Sequence, residues 1–171
     1  MDIQIKNLSV SFPSPKGDAK VLRDADIILK SGKITAVVGE SGSGKSILGA
    51  AVMGLLESSV RISGEILFGN TDLLSLSEKE LNSVRGARIG WIAQDPVTAM
   101  DPMMKVGKQM MEGVHFYQNG KETKADGIRQ LEEFGLSDAQ RVWDAYPFGL
   151  SGGMAQRVLT AMMTLPGPES V

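Results

Sequence analysis

Ile3, Ile5, Leu8, Val10 and Phe12 alternate with polar neighbours, with one slip near Asn7, and predict a first strand. Pro13 to Gly17 reads as a turn, because proline fixes φ and glycine permits positive φ. A second strand is expected from Val21 to Leu29, with Val21, Ala25, Ile27 and Leu29 on one face, before a turn at Ser31-Gly32. Ile34 to Val38 is a short run apolar on both faces, the pattern of a buried central strand. It runs into a glycine-rich loop, and Lys45 to Leu56 then has helical composition.

Further strands are expected at Glu65–Phe68 and Ile89–Ala93. Between them Ser77 and Glu80 stand at capping-box spacing, which predicts a helical turn. Beyond Asp101-Pro102 the period changes. Met103, Val106, Met110, Val114 and Tyr117 recur at helical intervals, and segments 123–135 and 137–145 also read as helices. Tyr146 to Gly149 breaks the pattern, and a last helix is expected from Ser151 to Thr164. No internal repeat or low-complexity tract is present.

Composition narrows the classes. The 171 residues are 42% hydrophobic and 22% charged, which suits one globular domain or a domain with an insertion. The net charge of −2, with cations scattered among the acids, offers no basic stripe for nucleic acid. Without cysteine there are neither disulfides nor thiolate metal sites. The start of the chain lacks the apolar run of a signal peptide. Its longest helix-like apolar stretch, Gly49 to Leu56, falls well short of the roughly 20 residues that span a bilayer. A membrane role is therefore expected to come through a partner.

The most informative segment is Gly39-Glu40-Ser41-Gly42-Ser43-Gly44-Lys45-Ser46, set between an expected strand and an expected helix. Gly39, Gly42 and Gly44 let the backbone curl so that successive N–H groups face one centre and form an anion nest. The helix that follows adds the partial positive charge of its N-terminus. Lys45 supplies a cation for the β- and γ-phosphates, and Ser46 a hydroxyl for Mg²⁺. These features predict a site for the phosphates of ATP with Mg²⁺. The loop alone does not fix what the nucleotide is used for, since kinases, GTPases and transport ATPases share it.

Two later motifs bear on that choice. Leu150-Ser151-Gly152-Gly153-Met154-Ala155-Gln156-Arg157 is a helix start with Ser151 as cap and two bare glycines. It reads either as an ordinary capped helix or as a second anion contact. In Ile89-Gly90-Trp91-Ile92-Ala93-Gln94-Asp95-Pro96, Gln94 would close a strand. There it serves either as a plain polar terminus or as an amide within reach of a metal ion or an attacking water. In this order the three motifs closely resemble the Walker A loop, Q-loop and signature of ATP-binding-cassette (ABC) ATPases. Tyr146-Pro147, Met154 to Arg157 and Asp95 to Pro102 look like the branch serving oligopeptide, dipeptide and nickel importers. Phe12 matches the aromatic that stacks on adenine in this family, with a core residue at a strand end as its other reading.

The resemblance implies an α/β fold: a P-loop NTPase of ABC type with an N-terminal antiparallel β subdomain and a helical insertion. Residues 1–95 would form the nucleotide-binding core with the β subdomain and Walker A loop. Residues 96–150 would be the helical subdomain, and 151–171 the signature helix and the start of the remaining core. It also implies that a second ABC subunit, identical or paralogous, joins head to tail. Ser151, Gly152 and Gly153 of one subunit then meet the γ-phosphate on the other. Gln94 would join Ser46 at Mg²⁺ and link the nucleotide to a groove for a membrane permease, placing the protein at the cytoplasmic face of the membrane.

Some features depart from the family. Met154 replaces a frequent glutamine, and Gly149 stands where an acid is common. No Asp-Glu pair follows an apolar run, and the sole histidine, His115, lies in the helical insertion, away from the place of a switch histidine. The chain ends at Pro166 to Val171, where a strand bearing the catalytic glutamate is expected. The expectation is therefore an N-terminal fragment, with the C-terminal part of the core missing, weak ATP binding and little hydrolysis. Competing expectations are a soluble non-transport ABC ATPase and a non-catalytic ATP-binding fragment. A nucleotide kinase would need an arginine-rich lid, and the arginines here are dispersed.

Overall fold

The computed structural model describes residues 1–15, 17–118 and 122–171, with the backbone alone for Tyr117 and Gln118. Lys16 of the expected turn and the side chain of Tyr117 thus lie outside the described residues. Two compact units divide the chain, Met1–Leu81 and Asn82–Val171.

The first unit is built on an antiparallel sheet of β1 (Ile3–Phe12), β2 (Ala19–Leu29), β3 (Arg61–Phe68) and β4 (Thr71–Asp72), in the order β2-β1-β3-β4. The slip expected near Asn7 is a bulge: Asn7 has φ 48°, and the β1–β3 register shifts between Lys6 and Ser9. Because one extra residue sits in β1, Ile3 and Ile5 before it and Leu8 and Val10 after it all reach the buried face. Strand β2 flips in the same way at Asp24, φ 46°. This corrects the expected face of β2. Ala25, Ile27 and Leu29 are half-buried as expected, but Leu22, opposite Val10, takes the core position ahead of the flip instead of Val21. Gly64 of β3, φ 106°, lies against the bulge, where a Cβ would come within 2.6 Å of the Asn7 carbonyl oxygen.

Helix α1 (Lys45–Val52) is shorter than its composition suggests, because a glycine turn stops it. Gly54 adopts φ 60°, its N–H donates to Ala51 O at 3.0 Å, and Leu55 N–H donates to Ala50 O at 2.8 Å. The Ile34–Val38 expectation fails. These residues belong to no strand or sheet, Ile34 is fully exposed and Val38 is 88% exposed. A run apolar on both faces becomes a strand only with hydrogen-bonded neighbours, and no described residue pairs with it.

In the second unit, α2 (Glu78–Val84) leads across the division from the predicted capping box. Ser77 N–H donates to Glu80 Oε2 at 2.8 Å, and Glu80 N–H to Ser77 Oγ at 3.4 Å. Ile89–Ala93 is not a strand either. Only isolated bridges join Ile89 to Arg85 and to Ser170. Then follow α3 (Val106–Gln118), α4 (Lys124–Glu133), α5 (Ala139–Asp144) and α6 (Gly152–Thr164), with a 3-10 turn at Pro147–Gly149.

Val106, Met110 and Val114 form the buried stripe of α3, while Met103 precedes the helix and is exposed. Their core includes Met100, Leu131, Val142, Trp143, Val158 and Leu159. Trp143 fits only because two helices carry glycine where they meet it: a Cβ at Gly107 of α3 or at Gly127 of α4 would overlap the indole. Helix α4 begins with a second capping box, Thr123–Asp126. It ends in a glycine turn, where Gly135 N–H donates to Glu132 O at 2.8 Å and Leu136 N–H to Leu131 O at 3.1 Å. Among the described residues no helix is long and apolar enough to cross a membrane.

Candidate functional site

In the first unit, Gly39 to Ser46 folds around its own lysine. Lys45 Nζ donates to Gly39 O at 2.8 Å, Glu40 O at 2.7 Å and Ser43 Oγ at 3.2 Å, while Ser43 N–H closes a turn onto Glu40 O at 3.2 Å. Gly42 and Gly44 adopt φ of 82° and 91°, the left-handed region that lets consecutive N–H groups turn to one side. At Gly44 a second constraint applies. The residue is buried against β2, and a Cβ would stand 2.7 Å from Leu22 Cδ2. The nest is thus braced on the sheet by the same Leu22 that the Asp24 flip turns inward.

Gly44 is also the N-cap of α1, and it offers no side-chain hydrogen bond to the first turn. The opening N–H groups of a helix have no intrahelical partner, and here no cap side chain takes one of them. The exposed Ser46 stands in that first turn. Glycine nest, helix start and lysine together make a place for a polyphosphate. Phe12, the last residue of β1, is half-buried opposite Ala19.

The second unit carries Gln94 and the glycine pair. Ala93 packs against the helical core and Gln94, next in sequence, is exposed. Asp95 then shapes the turn, its Oδ1 accepting from Val97 N–H at 3.0 Å and Thr98 N–H at 3.4 Å. Leu150 rests on the same core. Ser151 caps α6 as expected, its Oγ accepting from Met154 N–H at 3.4 Å. Gly152 and Gly153 are exposed, neither has positive φ, and a Cβ on either would meet nothing within 4 Å. Nothing inside the chain requires glycine at these positions, where alanine would favour the helix. A bare backbone suits the close approach of something from outside.

Arg157, read in the sequence only as part of the signature, and Gln109, which the sequence reading did not single out, hold this region in shape. Arg157 Nε donates to Gly153 O at 3.2 Å and its Nη1 to Gly135 O at 3.1 Å, tying the first turn of α6 to the end of α4. Gln109 of α3 makes three hydrogen bonds to the turn at Asp101–Met104. Neither contact leaves a periodic trace in the sequence. His115, near the end of α3, is exposed. Among the described residues no cluster of His, Cys, Asp or Glu could hold a metal by itself.

Residues 22–170 match the family model described as ABC transporter. The chain is 39% identical to the oligopeptide transport ATP-binding protein OppD of Escherichia coli over 169 residues, covering 98% of the chain and 50% of that relative. With OppD of Bacillus subtilis it shares 40% identity over 98% of the chain and 48% of the relative. With the dipeptide transport ATP-binding protein DppD of Lactococcus lactis it shares 39% over 98% and 49%. The chain spans about half the length of the curated relatives it matches. Its fold is that of the dimeric bacterial ABC transporter cassette MJ0796, with TM-score 0.85 and 24% identity over 97% of this chain and 70% of that one. The same cassette in a post-hydrolysis state bound to ADP and Pi superposes with TM-score 0.85 at 23% identity, again over 97% of this chain and 70% of that chain.

Proposed function

This chain belongs to the ABC transporter family, and we propose that it is the ATP-binding part of a subunit that drives peptide import by binding and hydrolysing ATP. The observation that carries this reading is the Gly39–Ser46 loop, already curled about Lys45 at the start of α1. Lys45 would exchange its carbonyl partners for β- and γ-phosphate oxygens, and the N–H groups of Gly44, Lys45 and Ser46 at the start of α1 would donate to the phosphates. The OppD and DppD relatives named above are oligopeptide and dipeptide transport ATP-binding proteins, which favours peptide cargo over nickel.

The exposed Ser46 hydroxyl suits Mg²⁺ bound with ATP and would hold it beside the nest, and the family resemblance gives Gln94 the role of joining it. An ion held there would supply positive charge to offset that of the phosphates during transfer. Phe12 would stack on the adenine. Ser151, Gly152 and Gly153 would meet the γ-phosphate held by a second subunit, identical or paralogous. That contact explains two glycines that the fold itself does not require.

Residues 1–95 serve as nucleotide core and β subdomain, 96–150 as the helical subdomain that docks a membrane permease, and 151–171 as the signature helix. The assembly sits at the cytoplasmic face of the membrane. ATP favours the closed pair because only there do both subunits contact it. A chain without its partner holds only half of each phosphate site, so it binds ATP weakly and turns it over slowly.

Calorimetric titration of the chain with Mg²⁺ and ATP tests this. Lys45→Ala is expected to weaken binding by about tenfold or more, the worth of a charge-assisted hydrogen bond. Equal affinity in the two proteins would refute the reading. Co-purification with a permease separates a transporter subunit from a soluble ABC ATPase.

A further inference from the structure

Gln109 fastens one turn of the segment that follows Gln94. Its Oε1 accepts from Asp101 N–H at 2.9 Å, while its Nε2 donates to Asp101 O at 3.0 Å and Met104 O at 2.8 Å. Both backbone polar groups of Asp101 therefore go to a single side chain, and neither peptide flanking Asp101 can turn without breaking at least one bond. The turn is also tightened from within: Asp101 Oδ1 accepts from Met103 N–H at 2.8 Å, and Asp101 O accepts from Met104 N–H at 3.3 Å. Upstream, Met100 is buried in the helical core and Ala93 packs against it. Gln94 at the start of this stretch is exposed, and Met103 near its end is 83% exposed.

We propose that Gln109 is a positioning residue that makes residues 95–104 move as one body with α3. A displacement at Gln94 then reaches the apolar Met103 tip without being absorbed in a slack loop. The proposal rests on the nucleotide role given to Gln94 above. A segment transmits a displacement only when its alternatives are a few discrete arrangements. Three bonds from a half-buried amide, anchored on a helix whose Val106 and Met110 are buried, remove the intermediate ones. Met103 becomes the reporting end, since nothing else in this turn presents so much apolar surface.

The test uses the full chain labelled with ¹³C at the methionine methyls, together with amide hydrogen exchange. Gln109→Met keeps an unbranched side chain of similar length and removes all three bonds. Gln109→Glu keeps the acceptor for Asp101 N–H and removes both donors. Exchange of the Asp101 amide is expected to accelerate by about tenfold in Gln109→Met and less in Gln109→Glu. Adding Mg²⁺ and ATP should shift the Met103 methyl resonance in the wild type. In Gln109→Met that shift should be lost, although ATP affinity stays within about twofold. A merely structural residue would instead lower stability and leave the Met103 response in place.

Unchanged Asp101 exchange overturns the proposal, as does a Met103 shift that survives in Gln109→Met or one absent from an ATP-bound wild type. Absence of ATP binding by the wild type overturns the functional reading and the coupling with it. Loss of the buried Met110 methyl shift would report unfolding of Gln109→Met, and the comparison then passes to Gln109→Glu.

Discussion

Trp143 lies across Gly127 so closely that the glycine's missing side chain is the space the indole occupies. The second glycine against the ring, Gly107, comes from α3, so one tryptophan on α5 keys two neighbouring helices. Gly127→Ala and Gly107→Ala are each expected to cost about 1–3 kcal/mol through overpacking. Gly113→Ala, on α3 with nothing within 4 Å of its Cβ, should instead stabilise by up to about 1 kcal/mol. Urea unfolding followed by tryptophan fluorescence checks all three.

The glycines of the signature are expected to separate stability from function. Gly152→Ala has open space for the new methyl group, so the urea midpoint should stay constant or rise. ATP-dependent pairing, read by light scattering with a second copy or with the paralogous subunit, should weaken markedly. A variant that pairs normally would show that bare backbone is not needed there.

At the bulge of β1, Asn7 holds φ 48°. Asn7→Gly should leave stability within about 0.5 kcal/mol, because glycine takes this conformation freely. Asn7→Val should cost about 1–2 kcal/mol, the penalty for a branched residue in the left-handed region. Thermal melts of the two variants measure the difference.

The two capping boxes predict an acid-sensitive limb. Hydrogen bonds from the Ser77 hydroxyl and N–H hold Glu80 below its ordinary 4.5, and those from Thr123 hold Asp126 below its ordinary 3.8. Folded values below unfolded ones mean that the unfolded chain binds more protons in this window. The stabilisation is then fully present above the ordinary carboxylate range and is lost as pH falls through the depressed folded values. Urea midpoints taken from about pH 7 down to about pH 3 should fall less steeply for Glu80→Gln and Asp126→Asn than for the wild type.

Features written in short-range chemistry were legible in the sequence. The Asn7 slip, the Ser77–Glu80 box, the Ser151 cap and the α3 stripe of Val106, Met110 and Val114 all follow from spacing alone. Ile34–Val38 was misread because hydropathy states what a segment needs, not whether a neighbouring strand supplies it. The flip at Asp24 escaped notice because an aspartate in the left-handed region looks like any polar residue in an alternating strand. Gly107, Gly127 and Gln109 act through partners far away in sequence or through backbone atoms, and neither relation has a period. Site residues followed the same divide. The chemistry of the Gly39–Ser46 loop could be read directly, whereas its bracing on Leu22 depends on a β-strand flip.

Lys45 already holds three acceptors from its own loop. An arriving anion therefore competes in an exchange, and its net gain is the difference between new partners and old ones. A single phosphate offers little beyond what Gly39 and Glu40 already provide, while a chain of phosphates can occupy the lysine and the α1 amides together. The resting loop is therefore expected to favour a chain of phosphates over a single one. ATP and ADP should both outrank inorganic phosphate by more than charge alone would dictate.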